Sequence, residues 1–360
     1  MRILSLIPEA FGGYGGIALY NRDFLTVLCE LPECDEVVAL QRLQSADPGP
    51  LPAGLTCDAS ALGGKRRYLT ALLRRLAADR SFNLIICAHI NLLPLAYLAR
   101  TLIRAPVLLV IYGIDTWQPT GSALTNRLVR RADGVISISD HTRKRFLSWA
   151  EVQADNVELL PNAIHAESYG VGPKDPALLA RYGLDGHPVL LTLGRLNAAE
   201  RYKGVDEMLQ VLPRLLDTHR ELRYLVVGDG DDRARLAGKA RSLGVGDHVI
   251  FTGRIDEDEK ADHYRLADAF VMPGRGEGFG FVFLEAMACG VPVVGSKLDG
   301  SREALRDGEL GLLVDPDDSD ALADAVLTAL QQPKAVPPGL EYFSFPRFAE
   351  RLGEIVRKYV

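Results

Sequence analysis

The sequence predicts an α/β protein built from two doubly wound parallel sheets. Three observations carry this. Short apolar runs alternate with helically spaced apolar residues along the whole chain, the mark of parallel βα units. The 360 residues leave room for two cores at about 150 residues per domain. Chain breakers gather near the middle, at Leu160-Pro161-Asn162-Ala163-Ile164, and the stretch onward to Asp185 is rich in Pro and Gly.

In order along the first half, strands are expected near Arg2–Ile7, Val37–Gln41, Leu84–Cys87, Val107–Ile111, Gly134–Ile138 and Val157–Leu160. In the second half they are expected near Pro188–Leu193, Arg223–Val227, His248–Thr252, Ala269–Met272, Pro292–Gly295 and Gly311–Val314. Ser344-Phe345-Pro346 reads as a helix start. Phe348, Leu352, Ile355, Val356 and Tyr359 then recur at helical spacing and give that last helix one face to bury. The expected divisions are 1–160, 161–343 and a C-terminal helix over 344–360.

Composition narrows the function. Hydrophobic residues make up 48% and charged residues 24%, the ordinary globular range, which excludes a disordered or collagen-like chain. The net charge of −6 speaks against a nucleic-acid binder. Charge is unevenly spread: residues 1–160 carry 17 Lys+Arg against 15 Asp+Glu, leaving 24 against 32 for the remainder. Basic residues cluster at Lys65, Arg66, Arg67, Arg74 and Arg75, either as a solvated helix face or as a surface for an anionic partner. The five cysteines form no CxxC pair, which fits a reducing cytoplasm. No stretch approaches the ~18 apolar residues of a membrane span.

In doubly wound sheets, ligands bind at the carboxyl ends of the strands, where helix N-termini point inward. Three segments lie there. Phe11-Gly12-Gly13-Tyr14-Gly15-Gly16 follows the first strand and reads either as a tight turn or as a backbone approach to a ligand. Gly194-Arg195-Leu196, with Lys203-Gly204 opening the next helix, puts two cations at strand and helix ends, as a diphosphate requires. The most informative runs from Pro273 to Gly290. A glycine loop carries Glu277, a helix begins near Gly280 or Phe281, and Glu285 falls on its second turn. Two carboxylates flanking a helix N-terminus can grip hydroxyls on either side of a bound anion. The Asp229–Asp232 run reads as a turn and helix cap, Asp140 as a further cap, and no carboxylate pair suits a metal-bound diphosphate.

The Glu277-x7-Glu285 segment, Gly194-Arg195 with Lys203-Gly204, the Gly15-Gly16 pair and the Pro161-Asn162 seam together resemble glycosyltransferase family 4. The resemblance spans nearly the whole chain and is most specific over 190–315. It implies two Rossmann-like domains facing across a cleft (the GT-B architecture), a nucleotide-sugar donor, no metal, and transfer with retention at the anomeric carbon by same-face displacement. Glu277 would hold the sugar hydroxyls and Glu285 the ribose. Arg195 and Lys203 would bind the diphosphate. The backbone of Gly278, Phe279, Gly280 and Phe281 would line sugar and phosphate. Arg254 and Ile255 would flank the base, and Gly15 and Gly16 would close on the diphosphate. A covalent role for Glu277 is the alternative to positioning.

The resemblance also marks a departure. The family often carries His at a strand end before a Gly-x-Glu/Asp pattern, and here the place reads Tyr112-Gly113-Ile114-Asp115. A phenol, with its ordinary pKa of ~10, cannot replace imidazole as a base. His89, ending another strand, reads either as an acceptor or sugar contact or as a structural histidine; Asp115 stands likewise. The Asn197–Tyr202 insertion, Asp115-Thr116-Trp117 and the Gly228–Asp232 run resemble bacterial exopolysaccharide mannosyltransferases and favour GDP-mannose. A UDP-sugar donor, an epimerase or hydrolase, and an inactive subunit of a polysaccharide-assembly complex are the alternatives. The acceptor would be a glycan or a lipid-linked glycan. In segment 65–80, Leu69, Leu72, Leu73 and Leu76 are expected to pack inward, turning the arginines toward solvent or the inner face of the cytoplasmic membrane.

Overall fold

The computed structural model describes residues 1–360. The chain divides into two units: Met1–Ala163 with Phe345–Val360, and Ile164–Ser344. Each holds one wholly parallel sheet, as the alternation of strand and helix patterns requires.

The first unit's sheet contains β1 (Arg2–Ile7), β2 (Glu36–Gln41), β3 (Leu55–Cys57), β4 (Leu84–Cys87), β5 (Val107–Ile111), β6 (Gly134–Ser137) and β7 (Val157–Leu159), in the order β3-β2-β1-β4-β5-β6-β7. The three-residue edge strand β3 is absent from the sequence reading; three residues after Pro52 and Gly54 offer no periodicity to detect. The central strands are buried on both faces, so they read as continuous Val/Ile/Leu runs. The order reverses between β1 and β4, so the loops after these two strands flank the switch point.

The final helix, Phe345–Arg357, packs on the Gly16–Glu30 helix of the same unit. Phe348, Leu352, Ile355 and Val356 are its buried face. Phe348 meets Tyr20 edge to face, with ring centroids 5.5 Å apart. Each such side chain contributes about 1.5–3 kcal/mol by leaving water. The exposed Arg357–Glu33 and Lys358–Glu158 pairs add little to this.

The Lys65–Ala78 helix corrects one expectation. Its buried residues are Tyr68, Ala71, Leu72 and Leu76, whereas Leu69 and Leu73 are 37% and 44% exposed. Tyr68 decides the face, because its hydroxyl donates to the Leu40 carbonyl at 2.7 Å. The outer face therefore mixes leucine with Arg66, Arg67 and Arg74.

The second unit's sheet contains β8 (Val189–Leu193), β9 (Arg223–Val227), β10 (Val249–Gly253), β11 (Ala269–Met272), β12 (Val293–Ser296) and β13 (Leu312–Val314), in the order β10-β9-β8-β11-β12-β13. Here the switch point lies between β8 and β11. The chain enters this unit at Ile164 and leaves it at Ser344, and the two passages pair: the Ile164 N–H donates to the Phe343 carbonyl at 2.8 Å.

Candidate active site

In the second unit the loop after β8 holds Gly194, Arg195 and Leu196. It is laced to the loop after β9: Leu196 N–H donates to Asp229 O at 3.0 Å, and Asp232 N–H to Leu196 O at 2.9 Å. Gly228 makes this approach feasible, since a Cβ there would lie 1.9 Å from Gly194 O and its φ is +136°. Asp231 accepts from Ala198 N–H at 2.7 Å, so the acidic run does serve as a turn. Asp232 precedes the Arg233–Ser242 helix but does not cap it through its side chain. Its buried carboxylate takes Arg235 and Arg201 instead, and Arg235 foremost holds its pKa below the usual carboxylate value.

Lys203 does not open a helix, as the sequence suggests. It ends a 3₁₀ segment, Ala198–Lys203, and the Val205–Thr218 helix starts after Gly204. This places the Lys203 ammonium 3.3 Å from a Glu277 oxygen across the switch point and 4.0 Å from Glu200. The charge of Glu277 raises the lysine pKa, against the opposing effect of burial. Arg195 is largely exposed and rests 2.7 Å from Glu200.

Glu277 sits in the loop after β11. Its peptide is gripped from both sides by the loop after β12: its N–H donates to Asp299 at 2.9 Å, and its carbonyl accepts from Gly300 N–H at 2.8 Å. Gly278, Phe279 and Gly280 follow. The Phe279 ring is buried against Phe343, at 5.5 Å between centroids, so only its backbone faces the loop's surroundings. The helix Phe281–Ala288 has no side-chain cap, which leaves its first N–H groups without a side-chain acceptor.

Glu285, on that helix, is 2% exposed. Tyr264 donates to one of its oxygens at 2.7 Å and Lys260 to the other at 3.1 Å. Burial opposes the charge on Lys260, but Glu285 and Glu257 more than offset it, and its pKa is raised. Burial first, and Glu285 beside it, push Tyr264 well up. Sequence reasoning misses both partners, although they stand one turn apart on the helix Lys260–Leu266. Arg254 and Ile255 follow β10, the first exposed and the second half-buried. Gly253 and Gly228 tie this loop to the one after β9 at 2.9 Å.

In the first unit Gly15 and Gly16 lie exposed at the start of the Gly16–Glu30 helix, which lacks a side-chain cap. His89 follows β4 at the cap of a 3₁₀ turn, Ile90–Leu92, and its Nδ1 accepts from Asn91 N–H at 3.1 Å, leaving Nε2 directed at Asp115, 3.8 Å away. Burial, helped by Arg42, lowers the imidazole pKa. Burial pushes Asp115 up to about 7, and its Oδ2 is buried without a hydrogen-bond partner. Tyr112 is committed elsewhere: its hydroxyl donates to Asn21 at 2.6 Å inside the core. Ser139, not Asp140, caps the following helix by accepting from Thr142 N–H at 3.1 Å. No three His, Cys, Asp or Glu side chains converge as a metal would need.

The two units match two family descriptions in order. Residues 25–163 match "Glycosyl transferase 4-like domain", and residues 187–332 match "Glycosyl transferases group 1". A GDP-mannose-dependent alpha-(1-6)-phosphatidylinositol monomannoside mannosyltransferase of Mycolicibacterium smegmatis is 37% identical over 224 residues, 60% of this chain and 58% of that relative. A phosphatidyl-myo-inositol mannosyltransferase of Mycobacterium tuberculosis is 32% identical over 349 residues, 92% of this chain and 88% of the relative. Among solved structures, Anabaena Alr3699/HepE in complex with UDP and glucose superposes with a TM-score of 0.79 over 99% of both chains at 21% identity. That likeness is one of fold, the GT-B architecture. With both domain types matched in sequence order and one relative aligned along 92% of this chain, the chain belongs to the group 1, or family 4, glycosyltransferases.

Proposed function

We propose that the chain moves a mannosyl group from GDP-mannose to a lipid-linked acceptor, with retention at the anomeric carbon. The observation that carries this is the Lys203–Glu277 pair across the β8/β11 switch point, with buried Glu285 on the adjoining helix. A donor diphosphate would draw the Lys203 ammonium from Glu277 and lie at the N-terminus of the Phe281–Ala288 helix. Lys203, joined by the exposed Arg195, would neutralise charge on the departing phosphate without a metal. Glu277, released from the lysine, would accept hydrogen bonds from sugar hydroxyls, and Glu285 from the ribose. The choice of GDP-mannose and of a lipid acceptor rests on the mycobacterial relatives.

The acceptor side would be the loops after β1, β4 and β5. His89 and Asp115 offer an N–H and a carboxyl oxygen to a polyol hydroxyl, while the helix N–H groups at Gly15 and Gly16 would close on the donor diphosphate. Tyr112 would support this region through Asn21 rather than touch substrate. The outer face of the Lys65–Ala78 helix would rest on anionic headgroups at the cytoplasmic face of the membrane. Lys65, Arg66, Arg67, Arg74 and Arg75 would meet phosphates, and Leu69 and Leu73 the interface.

The test is a transfer assay with GDP-mannose and vesicles containing phosphatidylinositol, read by mass spectrometry of extracted lipid. A hexose added to the lipid, with an α linkage by NMR, is the expected result. Consumption of UDP-sugars but not GDP-mannose, or release of free mannose with every acceptor, would overturn it.

A further inference from the structure

Asp299 has no part in the site outlined by the sequence. It follows β12, the neighbour of β11, and is 2% exposed. Its carboxylate has two partners of known geometry, both backbone amides. Oδ2 accepts from Glu277 N–H at 2.9 Å, and Oδ1 from Ser301 N–H at 3.0 Å. No cation is paired with it, and the Glu277 charge lies close by. Burial foremost, with Glu277 adding, moves its pKa upward, so the buried charge is held at a cost.

The next residue completes the grip. Gly300 N–H donates to the Glu277 carbonyl, and a Cβ on Gly300 would lie 2.3 Å from Gly278 O. Asp299 and Gly300 thus hold the two peptide groups that flank the Glu277 Cα, while Lys203 holds its side chain. A carboxylate suits the place because both of its oxygens only accept. An amide of the same shape can satisfy one of the two N–H groups but must turn its NH₂ on the other.

From this geometry we infer that Asp299 is a positioning residue for the donor sugar, setting the Glu277 loop while leaving the nucleotide end, at Glu285, unaffected. The inference rests on the donor-site reading above. Its reach is local: Glu277 and Glu285 stand on opposite sides of the start of the Phe281–Ala288 helix, and Asp299 bonds only the former.

The experiment compares wild type with Asp299→Asn and Asp299→Ala, measuring GDP and GDP-mannose binding by calorimetry and kcat and KM for donor turnover. Misplacing a contact group by about 1 Å costs on the order of 10²-fold in rate. The expected result is GDP affinity within about twofold of wild type, GDP-mannose turnover down on the order of 10²-fold chiefly in kcat, and a smaller loss for Asn than for Ala. Unchanged turnover, or GDP and GDP-mannose binding weakened by the same factor as a misfolded variant would show, overturns the positioning role. If wild type binds no nucleotide, the donor-site reading itself fails, a result distinct from either.

Discussion

The two switch points differ in how firmly their loops are held. On either side of the β8/β11 switch point the backbone packs on backbone: a Cβ at Gly228, after β9, would meet Gly194 O, after β8, at 1.9 Å, and one at Gly300, after β12, would meet Gly278 O, after β11, at 2.3 Å. The charged groups there are paired, Lys203 with Glu277 and Lys260 with Glu285. Between β1 and β4 the hold is uneven. A Cβ at Gly12 would meet Ala46 O at 2.4 Å, whereas one at Gly15 would meet nothing within 4 Å, and Asp115 Oδ2 has no hydrogen-bond partner. On the proposed function, the second unit would offer a preorganised site for a fixed chemical object, a diphosphate between a sugar and a ribose, and the first would offer groups whose partner comes from an acceptor.

Paired glycine substitutions probe that difference most severely. Gly228→Ala adds an overlap to a positive φ, and it should destabilise by upwards of about 4 kcal/mol. Gly15→Ala meets only the backbone strain of φ +85°, ψ 177°, about 1–3 kcal/mol. Urea unfolding followed for each variant reads this contrast. Equal losses would mean that the two edges are equally tight.

A smaller effect is expected from pH at Asp115. Its folded pKa, about 7, lies above the usual carboxylate value of ~3.9. The stability that the protonated form supplies is fully present below about pH 4 and fades as pH rises through 7. Asp115→Asn, which cannot ionise, should therefore gain on wild type between pH 5 and 8 by up to a few kcal/mol. Parallel stability curves for the two proteins across that range would show that Asp115 is not held protonated by burial.

The sequence was legible where a long pattern or a chemical spacing marks the residue. Continuous apolar runs located every strand but β3, whose three residues sit at an edge with Leu55 alone buried. Glu277 and Glu285 stood out because nine positions of one loop-helix segment hold both. The pairing of Glu277 with Asp299 did not, because the two come from different strands and meet only through sheet order. The face of the Lys65–Ala78 helix was misjudged because leucines alone were followed, whereas the Tyr68 ring and its bond to Leu40 set the rotation. Tyr112 similarly looked like a site residue by position, but its phenol is spent on Asn21.

The smallest structural effect belongs to that helix. Arg66→Glu, Arg67→Glu and Arg74→Glu together alter exposed side chains that form no ion pair, so unfolding should shift by no more than about 0.5 kcal/mol per site. Sedimentation with anionic vesicles at low salt should nonetheless fall sharply relative to wild type. Vesicle binding unchanged by the triple substitution would remove the helix from the membrane-facing role.

If the second unit's loops form a guanosine-diphosphate-sugar site, Lys203 lies at its phosphates. Calorimetry with GDP, UDP, GDP-mannose and UDP-glucose, on wild type and on Lys203→Ala, decides this. Selective binding of the two guanosine ligands, weakened at least about tenfold when the ammonium is removed, is the expected result. Selective uridine binding, or guanosine binding indifferent to Lys203 in a folded protein, would contradict it.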